Sequence, residues 1–359
     1  MSKKINQVEP NIDSEDIQSV NEYMSSGAWI TENKKTEEFE NLISNFVGRS
    51  YGVAVPNGTI AIYLSLISAG LTNGKKVAVP NITMIATINA VIWAGATPII
   101  VDVNERLCMS IDSLKTINDI DGVIYVPLNG RTEDGLEIKN YCDENNIKLI
   151  EDSAHALGSK YENVYCGSLG DLSVISFTPH KIITMGQGGM VLTDNEKFFN
   201  YLIDTKTFNR SRDKSDWHEG FGLNFKITDL QSSLGISQFG KIKDFIKKKK
   251  HIFETYKKNI VHYDFIDFHS FETPWFIDLI CESSEERDKL SIYLKEKNII
   301  TRDSYPALSF QKYLKEIQRT DLTNSESISN QILWLPSSTI LKDEEIEVIS
   351  DHINKFKFI

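Results

Sequence analysis

The first half of this chain is built from short apolar runs separated by stretches of helical length, and that rhythm leaves few folds open. "YGVAVPNGT" (51–59) reads as a strand ending in a turn, and "IAIYLSLISAG" as a helix closed by Gly70. "KKVAVPN", "TPIIVDV", "GVIYVPL" and "IKLIEDS" repeat the strand signal, with the helical patterns "ATINAVIWAGA" and "GLEIKNYCDENN" between them. "LSVISF" and "GGMVLTD" add two more strands. Strands that alternate with helices predict βαβ units, and strands this apolar predict burial on both faces. The expected class is α/β, with a mostly parallel mixed sheet between helices.

The texture changes after about residue 240. "GKIKDFIKKKKHIFETYKKNIVHY" predicts a long charged helix, followed by "WFIDLICES", "ERDKLSIYLKEKNI" and a closing helix "KDEEIEVISDHINKFK". At roughly 100–200 residues per domain, 359 residues suit two. Residues 1–240 form the expected large domain and 241–359 a smaller C-terminal α+β domain. The four-lysine run 247–250 reads as a solvated helix face rather than a phosphate patch.

A formal charge of −11 argues against a nucleic-acid protein with a generally basic surface, yet leaves room for an anion in a local basic pocket. Cys108, Cys142, Cys166 and Cys281 show no CxxC spacing. The expectation is therefore no disulfide framework, no metal site, and reduced thiols in a cytoplasmic setting. The N-terminus is polar without a signal-peptide core, and no apolar run reaches the ~18 residues that span a membrane.

Four signals fall after strands, where α/β sheets bind ligands. "PNGT" places Gly58 and Thr59 at a helix start, where backbone N–H groups suit a phosphate; an ordinary Asn-Gly turn is the commoner use of such a stretch. "LIEDSAH" delivers Glu151 and Asp152 to a strand end. Asp152 reads either as a helix N-cap or as the partner of a pyridinium nitrogen, which it would keep protonated so that the ring draws in electrons; His155 could pack on such a ring. In "SFTPHKIITMGQGG", Ser176 ends a strand and Lys181 precedes a glycine cluster. Lys181 is either one more surface lysine or the amine of a Schiff base with an aldehyde. "GFGLNFKITDLQSSLG" sets Asn224 before a helix with a small-residue packing face.

In this order and spacing the chain resembles the DegT/DnrJ/EryC1/StrS family of nucleotide-sugar aminotransferases, from "GAWITENKKTEEFE" through "ITRDSYP" to "LWLPSS". The match is densest over "EDSAHALGSKYENVYCGSLGDLSVISFTPHKIITMGQGGMVLTDN". The resemblance implies a fold type I enzyme dependent on pyridoxal 5′-phosphate (PLP), bound in the large domain. It assigns Lys181 to the covalent link and the proton shuttle, Asp152 to the pyridine nitrogen and His155 to the ring. Gly58, Thr59 and Ser176 would hold the phosphate, and Asn224 the phosphate of the neighbouring subunit, which makes the active unit a homodimer with sites at the interface. Arg210, Arg212 and His218 would lie near the sugar nucleotide, although surface ion pairs are an equal reading of the arginines. Three positions depart from the family pattern. Met84 stands where an aromatic residue commonly covers the cofactor, Lys226 stands for an arginine, and "WITENKK" lacks a glycine.

A subgroup with histidine at the lysine position performs dehydration. Counting back from Gly188–Gly189 puts Lys181, not His180, in that register, which implies transamination. The expected donor is L-glutamate and the expected acceptor dTDP-4-keto-6-deoxyglucose, giving dTDP-4-amino-4,6-dideoxyglucose. A GDP sugar leading to GDP-perosamine, or a 3-keto sugar, are the alternatives. A non-catalytic PLP-binding regulator is a further one, though no attached DNA-binding segment is visible.

Overall fold

A computed structural model of the chain describes residues 4–357. Its strands in chain order are β1 (Tyr51–Val55), β2 (Lys76–Pro80), β3 (Thr97–Val101), β4 (Gly122–Tyr125), β5 (Lys148–Asp152), β6 (Lys160–Tyr161) and β7 (Val164–Tyr165). They continue with β8 (Leu172–Ser176), β9 (Gly189–Thr193), β10 (Asp264–Phe265), β11 (Ile277–Ile280), β12 (Arg302–Asp303) and β13 (Ile332–Leu335). Seven of them form one sheet in the order β1-β9-β8-β5-β4-β2-β3. Only β9 opposes the rest: it is antiparallel to β1 and β8, and the remaining pairs are parallel. This is the α/β architecture of fold type I, and the apolar strand sequences follow from it, since helices cover both faces.

The two-residue period of a strand divides the core. Val77, Val79, Ile100, Ile124 and Ile150 point into one apolar cluster, and Ala78, Ile99, Val101, Val123 and Leu149 into the other. Helix Gly58–Ser68 packs on the first face and helix Gly135–Glu144, through Ile138 and Cys142, on the second. The same alternation separates the neighbouring carboxylates of β5. Glu151 is fully buried and accepts from Ser153, Tyr161 and Ser173 hydroxyls and from the Gly167 and Leu169 N–H groups, so it is a structural anchor. Asp152 turns to the other side.

The C-terminal layer is an antiparallel sheet in the order β10-β11-β13-β12. Helices Ile242–Asn259, Ser284–Glu296 and Asp343–Phe356 cover it around Ile252, Tyr256, Leu290, Leu294 and Ile349. The N-terminal segment also joins this layer: Ile5 bridges to Ile299, and the Ser337 N–H donates to the Gln7 carbonyl at 2.8 Å. The two sheets are tied by Asp278 of β11. This fully buried carboxylate accepts from Asn129 (2.9 and 3.0 Å), Trp334 Nε1 (2.7 Å) and the fully buried Arg131. We propose the domain division at 240/241, between helices Asp229–Gly240 and Ile242–Asn259.

The four-lysine run corrects the expectation of a uniformly solvated face. Lys248 pairs with Asp343 at 3.0 Å and Lys250 donates to the Ser270 carbonyl, but Lys249 is 4% exposed and points inward. The helical period puts it on the stripe shared by Phe245, Ile252, Phe253 and Tyr256. Among the described residues, no helix is long and apolar enough to cross a membrane and no His/Cys/Asp/Glu cluster could hold a metal ion.

Candidate active site

Connections leaving the carboxyl ends of β1, β2, β5 and β8 converge on one cavity of about 270 Å³, lined by Gly58, Thr59, Met84, Asp152, His155, Ser176 and Lys181 among others. Each arrives for a local reason. Asn57 caps helix Gly58–Ser68, its Oδ1 accepting from the Ile60 N–H at 3.0 Å, and the helix start, Gly58 and Thr59, lines the cavity. A Cβ on Gly58 would meet the Ser176 Cβ at 3.2 Å, which shows how closely the helix start approaches the end of β8. Gly189 makes that approach possible: a Cβ there would lie 2.5 Å from the Asn57 carbonyl.

Lys181 is set by the connection from β8 to β9. Its N–H bonds the Thr178 carbonyl at 3.0 Å, and the Thr184 hydroxyl and Met185 N–H both donate to the Phe177 carbonyl. The side chain is half-buried, and Nζ lies 3.9 Å from the centre of the Trp275 ring. Desolvation brings its pKa down to about 7; the Asp152 carboxylate opposes that shift and the Arg302 guanidinium adds to it.

Asp152 is 4% exposed. It accepts from Thr87 Oγ1 at 3.0 Å and from the Ala154 N–H at 3.3 Å, a local turn rather than a helix cap. Burial pushes its pKa up, against the Thr87 hydroxyl, the Lys181 charge and the Ala154 N–H. His155 is 3% exposed and stacks on Trp275 with ring centres 4.0 Å apart, while its Nδ1 has no hydrogen-bond partner. Desolvation, with Lys181 and Arg302, holds its pKa well below the ordinary imidazole value. Met84 is 41% exposed at the cavity edge.

The remaining expected residues lie elsewhere. Asn224 is exposed and bridges to Thr207. Arg210, Arg212 and His218 sit in an exposed loop, where Arg210 pairs with His218 in a short bridge and His218 Nδ1 contacts the Phe208 carbonyl at 2.7 Å. None of these four lines the cavity. Conversely, Thr87, Trp275 and Tyr305 meet the site residues without having been singled out from sequence. Thr87 follows Met84 by three, one helical step, which was a usable signal. Trp275 comes from the C-terminal layer, and only the fold could bring it here.

These residues fit a phosphorylated pyridine aldehyde. The helix N-terminus and the Ser176 hydroxyl suit a dianion, a partly neutral amine suits an aldehyde, a buried carboxyl suits a ring nitrogen, and His155 Nδ1 awaits a partner. Fold and cavity together define a PLP-dependent aminotransferase. Comparison with known proteins specifies which kind: residues 10–354 match the DegT/DnrJ/EryC1/StrS aminotransferase family model, and the chain belongs to that family. It is similar to a GDP-perosamine synthase of Escherichia coli O157:H7, 33% identical over 358 residues and 97% of each chain. A GDP-perosamine synthase of Vibrio cholerae is 29% identical over 361 residues, covering 97% of this chain and 98% of that one. Among solved structures, Helicobacter pylori PseC, an aminotransferase involved in the biosynthesis of pseudoaminic acid, superposes with a TM-score of 0.91 at 21% identity over 99% of both chains.

Proposed function

We propose that the protein transfers an amino group from L-glutamate to C4 of a nucleotide-linked 4-keto-6-deoxyhexose, with Lys181 as the amine that takes the cofactor's aldehyde and then moves the proton. The observation that carries this reading is the placement of Lys181 and Asp152 in one cavity, with desolvation bringing the amine to about 7. PLP, when bound, supplies the aldehyde and an electron-withdrawing ring. Asp152 would hold the proton on the ring nitrogen, Thr87 would fix that carboxyl, and Gly58, Thr59 and Ser176 would bind the phosphate. His155, neutral near pH 7, would contact the ring, and Met84 would cover it through a polarizable sulfur.

The relatives shift the choice of nucleotide. The family resemblance led to a dTDP sugar, whereas two similar curated proteins are GDP-perosamine synthases, which favours a GDP-linked acceptor and a 4-amino-4,6-dideoxy product. A homodimer is supported by exposed Trp29 (69%), Phe221 (75%) and Trp93 (52%) and by the position of Asn224, Arg210, Arg212 and His218 outside the chain's own cavity. They are free to complete a partner's site. A cytoplasmic setting is supported by four buried cysteines without disulfides. Incubation with PLP, L-glutamate and a panel of GDP- and dTDP-linked 4-keto and 3-keto sugars, read by mass spectrometry, tests the whole reading. We expect an amino product from the GDP-linked 4-keto sugar. Turnover of the dTDP sugar alone would reverse the choice of nucleotide, and no product from any of them, with PLP bound, would favour a regulator.

A further inference from the structure

The inward-pointing Lys249 has no carboxylate partner among its hydrogen bonds. Its side-chain amine, whose pKa burial brings down to about 7, donates to the Trp275 carbonyl, to the Ser337 carbonyl at 2.6 Å and, at 3.4 Å, to the Ser337 hydroxyl. It therefore joins two chain segments, the one entering β11 and the one leaving β13. Trp275 then makes three contacts with the site. Its indole N–H donates to the His180 carbonyl at 2.7 Å, immediately before Lys181; its ring lies 3.9 Å from Lys181 Nζ; and the ring stacks on His155 at 4.0 Å. A cavity of about 20 Å³, room for a single water, is lined by both Lys249 and Lys181, with His180, Thr184 and Gln238 beside them. The space behind the active-site amine thus ends on the buried lysine.

We infer that Lys249 is a positioning residue for the amine of Lys181: by clamping the Trp275 and Ser337 carbonyls it fixes the indole wall that keeps Lys181 poorly hydrated. Lysine suits the task, because its amine can hold carbonyls from two directions at once and keeps two N–H donors for them even after losing its proton. An aliphatic residue would fill the volume and leave those carbonyls unheld. The inference rests on Lys181 being the amine that takes the aldehyde, but its first consequence is visible in the cofactor-free protein. A wall that loosens admits water, and a better-hydrated amine regains its proton more readily.

The test is acetylation of Lys181 in the full-length, cofactor-free protein as a function of pH, followed by mass spectrometry of its peptide. It compares wild type with Lys249→Met and Lys249→Arg. Expected is a midpoint near 7 for wild type, a rise of about one pH unit or more in Lys249→Met, and recovery toward wild type in Lys249→Arg, which again offers several donors. PLP capture should weaken in the same order. An unshifted midpoint in folded Lys249→Met overturns the inference, as does an equal shift in Lys249→Arg, since disturbed packing then explains both. If Lys249→Met does not fold, Lys249→Gln, which retains a donor for one carbonyl, replaces it under the same criterion. Whether Lys181 is the site of PLP attachment is settled separately by borohydride reduction of wild type, so failure of the clamp and failure of the functional reading are distinguishable.

Discussion

Lys181 Nζ lies 3.9 Å from the centre of the Trp275 ring, so a residue of the C-terminal layer forms one wall around the amine delivered by the large sheet. The amine is desolvated to about 7. Below that pH it is protonated and unreactive toward an aldehyde; above it, it is free. Capture of PLP by the cofactor-free protein should therefore rise through pH 7 and level off by about pH 8. In Trp275→Ala water enters, and the rise should move toward the 10.5 of an ordinary lysine. Visible absorbance during reconstitution across pH 6–10 reads both profiles, and identical profiles would remove Trp275 from the account.

Asp152 is expected to control the ring nitrogen rather than cofactor retention. Asp152→Asn preserves shape and removes the charge, and kcat should fall by about 100-fold or more with PLP still bound, because the electron sink is weakened. Thr87→Val removes the 3.0 Å donor to that carboxyl, together with the 3.0 Å bond between the Thr87 and Thr83 hydroxyls. A hydrogen bond to a charged group contributes about 1.5–3 kcal/mol, and because the Ala154 N–H still holds the carboxyl the lower end applies, a loss of ~10-fold in kcat. Steady-state kinetics on both variants check the order. A larger effect from Thr87→Val than from Asp152→Asn would contradict it.

The close approach at the phosphate end gives a steric prediction. In Gly189→Ala the new methyl would lie 2.5 Å from the Asn57 carbonyl, which displaces the cap of helix Gly58–Ser68. PLP affinity should drop at least ~10-fold, the order of a lost charge-assisted contact. Equilibrium titration of PLP measures this, and unchanged affinity would show that the helix start does not bind the phosphate.

Between the sheets, Arg131 and Asp278 form a fully buried ion pair. Arg131→Met leaves Asp278 with its bonds to Asn129 and Trp334 but without a counter-charge, and should destabilise the fold by about 3–5 kcal/mol. Chemical denaturation of the cofactor-free protein provides the measurement; a loss within experimental scatter would mean that the two neutral donors suffice.

The parallel sheet was legible because each strand is short, apolar and bounded by turn residues, and Asp152, Ser176 and Lys181 were legible because each sits at a fixed step from a strand end. Lys249 was not. Four consecutive lysines look alike in one dimension, and only the helical phase relative to Phe245, Ile252 and Tyr256 distinguishes the buried one. That phase was available in the sequence, but charge outweighed it. Trp275 and Tyr305 could not be placed from local pattern, since they reach His155 across more than a hundred residues of chain. Glu151 and Asp152 looked equivalent until strand alternation sent them to opposite faces.

Every role proposed for the cavity depends on Lys181 being the covalent anchor. Borohydride reduction of the PLP-loaded wild-type protein, followed by peptide mass spectrometry, tests it most directly. The reduced cofactor is expected on the peptide that carries Lys181, with no such label in Lys181→Ala; a label on any other lysine, or an unmodified Lys181 in fully loaded protein, would show that another group holds PLP.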